Sequence, residues 1–312
     1  MSTLVWPAPA DTSLDAAIES TQRRELEWLL TSLQETLRSL KAGLEETAAL
    51  LAPTEPGVTL VVSSLRSEAL KGFVTRVGTR IVKGDITLRL PSLVPPRGQQ
   101  AVRASVSQQP AATPIVLEQL ATTRTLINSC LDVVDATQWT GDSTNANFIS
   151  GQLRLLHENV QEARNALRGW NDKQKSWPQD SYDFNVFESG LPKNVSFHFF
   201  ISEAALILIV RTIELADPNE AANASFTGFS LRERFTTALG GPRTVSHDEM
   251  TETFSYRGQE VRVKDKVRID SQDPNLMAAL AKLGALERSV TISRKALDVV
   301  MGREYDDLTS NS

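Results

Sequence analysis

The sequence predicts an α+β protein: an elongated, leucine-rich antiparallel four-helix bundle plus a mainly antiparallel β domain, both discontinuous in sequence. Three observations lead there. Four segments repeat apolar residues at alternating steps of three and four, the spacing that lines one face of an α-helix. Two segments between them change to a period of two, as half-buried strands do. Helical segments sit at both ends and in the middle of the chain, so the terminal helices must return to one another to cover their stripes, while the strand-rich gaps meet as a second domain. The expected boundaries are 14–52, 113–176 and 273–303 for the bundle and 53–112 and 177–272 for the β domain, with flexible termini at 1–13 and 304–312.

The first helix carries the clearest seam. Leu30, Leu37, Leu44 and Leu51 recur every seven residues, and Leu26, Leu33 and Leu40 interleave with them until Thr47 interrupts. Thr12 and Asp15 have capping-box spacing, so the helix is expected from near Leu14 to Ala52, where Pro53 and Pro56 stop it. Strands follow at Val58/Leu60/Val62, at Phe73/Thr75/Val77, at Ile86/Leu88/Leu90 and at Val102/Ala104/Val106. Thr113 and Pro114 read as an N-cap followed by proline at the first helical position, opening a second helix on Leu117, Leu120, Ile127, Leu131 and Val134, with Arg124 breaking the spacing once. A third, from about Asn147 to Trp170, places Ile149, Leu153, Leu156, Val160, Ala163, Leu167 and Trp170 on one stripe. Val195, Phe197, Phe199 and Ile201 then share a strand face, and Ala204 to Val210 is an unbroken apolar run suited to a strand covered on both sides. Ser230 and Glu233 suggest a short capped helix, and Thr251 to Asp270 a hairpin about Arg257-Gly258. Asp273-Pro274 opens the last helix, whose seam runs through Leu276, Leu283, Val290 and Leu297 to Gly302.

Composition narrows the function classes. A net charge of −5 argues against general nucleic-acid affinity, which needs a clustered excess of Lys and Arg. The single cysteine, Cys130, can form no intrachain disulfide and reads as a small apolar residue in a reducing, cytoplasmic setting. The longest apolar stretch, Val195 to Val210, is too short to span a bilayer, so any membrane association is expected to be peripheral.

Chemistry-bearing residues are sparse. His157, His198 and His247 read as packing or solvated positions. No Cys/His pair has zinc spacing, no Gly-x-Ser-x-Gly occurs, and no glycine-rich loop has the context of a phosphate cradle. No catalytic, cofactor or metal residue is assigned, although groups distant in sequence can still converge in space. One feature has a functional alternative. Between Glu260 and Asp270, Val261, Val263, Val267 and Ile269 face one way and Arg262, Lys264, Lys266 and Arg268 the other, with Arg257 close by. This basic stripe is either a charged strand face that discourages pairing with other chains or a docking face for an acidic protein or lipid surface. Asp265, on the apolar side, suggests a bulge or an edge position.

Several stretches in order carry a family resemblance: Glu25-Leu26-Glu27-Trp28-Leu29-Leu30, Leu70-Lys71-Gly72-Phe73-Val74 leading through Gly78 to Ile86-Thr87-Leu88-Arg89-Leu90-Pro91, the strands between Val195 and Val210, and Phe254 with Gly258-Gln259-Glu260-Val261. In this the chain resembles the Rogdi family, whose fungal members are the small subunit of the RAVE complex. The resemblance implies a non-catalytic subunit that promotes reassembly of the peripheral sector of the vacuolar-type proton ATPase onto its membrane sector. It implies as partners a large β-propeller-containing subunit and that peripheral sector. It also implies a cytoplasmic protein recruited to vacuolar and endosomal membranes only through partners, with no cofactor and no nucleic acid. A homodimeric coiled-coil tether and an enzyme of unknown reaction are the competing readings.

Overall fold

The computed structural model describes residues 11–65, 68–109, 112–138, 145–169, 177–178, 186–188, 191–216 and 247–303. Helices and antiparallel sheets coexist in it, so the protein is α+β. The chain divides into two compact units, Met1–Ala49 with Thr123–Arg164 and Ala279–Ser312, and Leu50–Thr122 with Asn165–Ala278.

The first unit is built from helices. Helix α1 (Asp11–Leu50) begins earlier than expected, so Thr12 and Asp15 lie within it instead of capping it. Its seam is buried at Leu30, Leu33, Leu37, Leu40 and Leu44, and Thr47 fits among them by donating its hydroxyl to the Gly43 carbonyl at 2.7 Å. Helix α2 (Glu118–Gln138) starts four residues after Pro114, because Ile115–Val116 pairs as a short strand with Arg80 and Ile81 and withdraws those residues from the helix. Its buried row is Leu120, Thr123, Ile127, Cys130, Val134 and Thr137, with Leu131 only half-buried. The seam thus passes Arg124 by using Thr123. Helix α3 (Ala146–Arg168) buries the expected row from Ile149 to Leu167. Helix α4 (Pro274–Val300) ends at Gly302, whose φ of 66° supports a Schellman closure: Gly302 N–H donates to Val299 O at 3.1 Å and Arg303 N–H to Asp298 O at 2.9 Å. Within this unit Lys41 pairs with Asp135, Glu46 with Lys282, and Arg164 with Glu287, while Gly43 faces Leu286.

The second unit holds two antiparallel sheets. One runs β1 (Val58–Ser63), β2 (Leu70–Val77), β3 (Arg80–Leu88) and β4 (Val102–Ser105), with β5 (Ile115–Val116) also on β3. The sequence placed Phe73, Thr75 and Val77 inward on β2. Instead Leu70 and Val74 are buried and Phe73 is exposed, and a slip in the pairing between Thr75 and Arg76 accompanies the burial of both of those consecutive residues. The other sheet is ordered β6 (Val195–Ser202), β7 (Ala205–Leu215), β9 (Gln259–Gln272), β8 (Thr253–Tyr256). Strand β7 is covered on both faces from Leu206 to Ile213. Its turn from β6 sets Glu203 and Ala204 at φ 48° and 57°, and their N–H groups donate to the Arg168 and Leu167 carbonyls at the end of α3. That contact satisfies two orphan helix carbonyls and holds a turn that non-glycine residues disfavour. The β8–β9 hairpin turns on Arg257 (φ 52°) and Gly258 (φ 79°), as the sequence indicated.

Arg76 and Asp273 tie the first sheet to the start of α4. Arg76 is 2% and Asp273 0% exposed; Nε lies 2.7 Å from Oδ2, and Nη1 donates to Gly78 O at 2.6 Å. The other carboxylate oxygen caps α4, accepting from the N–H groups of Asn275 at 3.0 Å and Leu276 at 3.3 Å. The helix suggested by Ser230 and Glu233 lies outside the described residues, as does Trp170.

Candidate functional site

The five cations singled out in the sequence all lie on the β8–β9 hairpin, and the fold brings carboxylates to meet them. Pairing between β7 and β9 runs Thr212↔Asp265 and then Ile213↔Val263, so Lys264 is the extra residue of a bulge. The bulge turns Asp265 inward, where its carboxylate accepts from the Thr212 hydroxyl and from the Ser92 N–H, each at 2.9 Å. Lys264 pairs with Glu214 at 2.6 Å and Arg268 with Asp270 at 2.9 Å. Arg257 stacks over the Tyr256 ring, 5.2 Å from its centroid. Arg262, half-buried, stands opposite Glu214 and Thr253 in the sheet register.

Lys266 belongs to a denser network. Its side chain is only 15% exposed and reaches Asp248 and Glu249 at 2.7 Å each. Glu249 also receives Arg211 Nε at 2.6 Å and Nη2 at 2.8 Å, a two-pronged contact. The Arg211 guanidinium lies over the Trp177 ring, 4.6 Å from its centroid, and Trp177 packs in turn on Phe254 and Tyr256. Burial opposes ionisation of Glu249, but hydrogen bonds from Arg211 and Lys266, and their charges, outweigh it and hold the carboxyl below its usual range. The Lys266 hydrogen bond likewise holds Asp248 low, against a smaller opposing effect of burial. Three of the five cations, Lys264, Lys266 and Arg268, thus meet carboxylates of the same unit.

The histidines do not converge. His157 is buried on α3, His198 packs against Phe200 with ring centroids 5.0 Å apart, and His247 lies 3.3 Å from the Lys264 carbonyl oxygen. Burial, reinforced by Arg294, pushes the His157 imidazole below its usual range despite Glu287 and Glu158. Burial alone pushes the Cys130 thiol up to about 12, so it is not a ready nucleophile. A groove of about 600 Å³ runs along α1, where Leu26 and Leu30 alternate with charges of both signs including Arg23, Glu27, Glu35 and Arg38. Among the described residues no cluster of His, Cys, Asp and Glu could hold a metal, and no helix is long and apolar enough to cross a membrane.

Residues 25–298 match the family described as Rogdi leucine zipper containing protein. The chain belongs to that family. The match takes in the α1 seam, both sheets and nearly all of α4, so it covers both units of this Rogdi family member. The chain is also similar to a Schizosaccharomyces pombe protein named Regulator of V-ATPase in vacuolar membrane protein 2, with 25% identity over 298 residues, 89% of this chain and 93% of that protein.

Proposed function

We propose that this protein regulates the vacuolar-type proton ATPase without catalysing a reaction itself, as a subunit of a RAVE-like complex that promotes reassembly of the peripheral sector onto the membrane sector. The observation that carries this reading is the full-length similarity to a relative named as a regulator of that ATPase in the vacuolar membrane, within a family matched across both units. Its partners are then a large β-propeller-containing subunit and the peripheral sector, and it reaches vacuolar and endosomal membranes from the cytoplasm through them. We read the four helices as an antiparallel bundle. The α1–α2, α1–α4 and α3–α4 ion pairs support this, as does the contact of the Thr123 hydroxyl with the Ala163 carbonyl at 3.5 Å between α2 and α3. Burial of the α1 seam inside the chain disfavours the homodimeric tether, which would need that seam for a second copy. Affinity purification of the tagged protein, with mass spectrometry of what accompanies it, tests the reading. A β-propeller protein and peripheral-sector subunits are expected at near-stoichiometric yield, and a pull-down holding neither would refute it.

A further inference from the structure

Leu65 and Val94 are the two most exposed large apolar side chains among the described residues, at 89% and 84%, and they stand at one end of the first sheet. Leu65 lies in the connection from β1 to β2 and Val94 in the connection from β3 to β4. The antiparallel register sets these connections at the same end, with Ser63 opposite Lys71, Leu70 opposite Leu88 and Leu88 opposite Val102. A backbone bond also ties them together, from Arg89 N–H to Ala69 O at 2.8 Å. Isolated exposed aliphatic residues are ordinary, but two on neighbouring loops of one sheet end form a small contact surface. Both loops are closed beneath their tips. The Ser64 hydroxyl accepts from the N–H groups of Ala69 at 3.1 Å and Leu70 at 3.0 Å. Just before Val94, Leu93 is buried and Ser92 N–H is held by Asp265. Just after it, Pro95 and Pro96 have fixed φ, and Gln99 N–H returns to Pro96 O at 3.0 Å about Gly98 (φ 84°). Val94 is therefore exposed with little backbone freedom left to lose on binding.

The charge around the tips is of one sign. Lys71, Arg89 and Arg97 are exposed at this end and form no ion pair among the described residues, whereas Arg103 on β4 is matched by Asp85. Glu68 is the one carboxylate among the described residues of the two connections. We propose that this end of the first sheet docks on an anionic membrane surface, with Leu65 and Val94 entering the boundary between headgroups and acyl chains while Lys71, Arg89 and Arg97 meet the lipid anions. A protein partner would have to offer two apolar pockets set among carboxylates. An anionic bilayer offers both at any point of its surface, a continuous apolar interior beneath fixed negative charge. The contact is weak and reversible. Each cation contributes about fivefold at an anionic leaflet, and the two aliphatic side chains insert far fewer carbons than one myristoyl chain, itself a marginal anchor. It therefore adds to recruitment through partners, orienting a chain that they already hold near the membrane, where the effective concentration of lipid is high.

The test needs only the purified full chain and lipid, so its outcome is separate from that of the ATPase reading. The chain is sedimented with vesicles of three parts phosphatidylserine to seven parts phosphatidylcholine, and with vesicles of phosphatidylcholine alone. Partitioning onto the anionic vesicles is expected to be at least tenfold stronger, and raised salt should weaken it. Leu65→Asp with Val94→Asp should lower it at least tenfold. Lys71→Ala, Arg89→Ala and Arg97→Ala should each lower it about fivefold. The circular dichroism melt should stay unchanged in all of these, as suits exposed positions. The environment-sensitive dye NBD on Val94→Cys, with the native Cys130 buried, should shift to the blue on the anionic vesicles, which adsorption through charge alone would not produce. Equal sedimentation with both vesicles, partitioning that survives the tip pair or the charge variants, or a dye that stays unshifted on bound vesicles would each overturn the proposal. So would a tip-pair variant that loses a co-purifying protein while keeping its vesicle binding, since the tips would then be a protein contact.

Discussion

Asp273 is the residue whose removal the structure predicts most sharply, because one carboxylate does two jobs with two oxygens. Oδ2 neutralises the buried Arg76 and Oδ1 caps α4. Stripping a buried guanidinium of its partner costs about 3–5 kcal/mol, and losing an N-cap adds about 1 kcal/mol. Asp273→Ala should therefore cost about 4–6 kcal/mol, a large share of the roughly 5–15 kcal/mol that holds a domain folded. Asp273→Asn keeps an oxygen for the cap but leaves Arg76 uncompensated, and should cost about 3–5 kcal/mol. Arg76→Met combined with Asp273→Asn removes the stranded charge along with its partner, and should be less destabilised than Asp273→Asn alone. Urea unfolding followed by circular dichroism measures all of these, with equal m-values as the check that the folded and unfolded states are unchanged. Strictly additive costs for the two changes would refute the claim that the pair acts as a unit.

Other outcomes follow from the same geometry. Leu37→Ala and Leu283→Ala, each at a fully buried seam position, should cost about 2–5 kcal/mol by chemical denaturation. Because the folded His157 pKa is depressed, the unfolded chain binds its proton more readily; stability present above the unfolded pKa is lost as pH falls through the folded value, and His157→Leu should flatten that acid dependence of Tm between pH 7.5 and 5. Reversing the β9 stripe will not be uniform. Arg268→Glu, on a half-exposed side chain beside Asp270, should move Tm little, whereas Lys266→Glu sets a third carboxylate beside Glu249 and Asp248 and should lower it measurably.

Where sequence and structure agree, the signal was local. The seams of α1 and α3, the Asp273 cap, the closing Gly302 and the Arg257-Gly258 turn are each decided by residues within a few positions of one another, and sequence spacing reads them directly. The departures come from partners distant in the chain. Thr113-Pro114 has good capping chemistry, but pairing of Ile115 and Val116 with β3 claims the residues that would have formed the first turn. Nothing local marks Arg76 as a buried residue, because its carboxylate lies 197 positions away. The β9 cations left a charged strand face and a docking face both open, because alternation locates Lys264 and Lys266 but says nothing of Glu214, Asp248 and Glu249, which pair with them.

We propose that this Rogdi family member acts on assembly of the proton ATPase through contacts alone. Expressing the chain in Schizosaccharomyces pombe cells that lack the similar regulator, and measuring how much peripheral sector sediments with vacuolar membranes, tests it most directly. Restored membrane-bound peripheral sector and restored proton pumping are predicted, undiminished by substituting His157, His198 or His247 with asparagine. Proton pumping that stays low with the chain expressed and folded, or that is lost with any of those histidines while assembly persists, would contradict it.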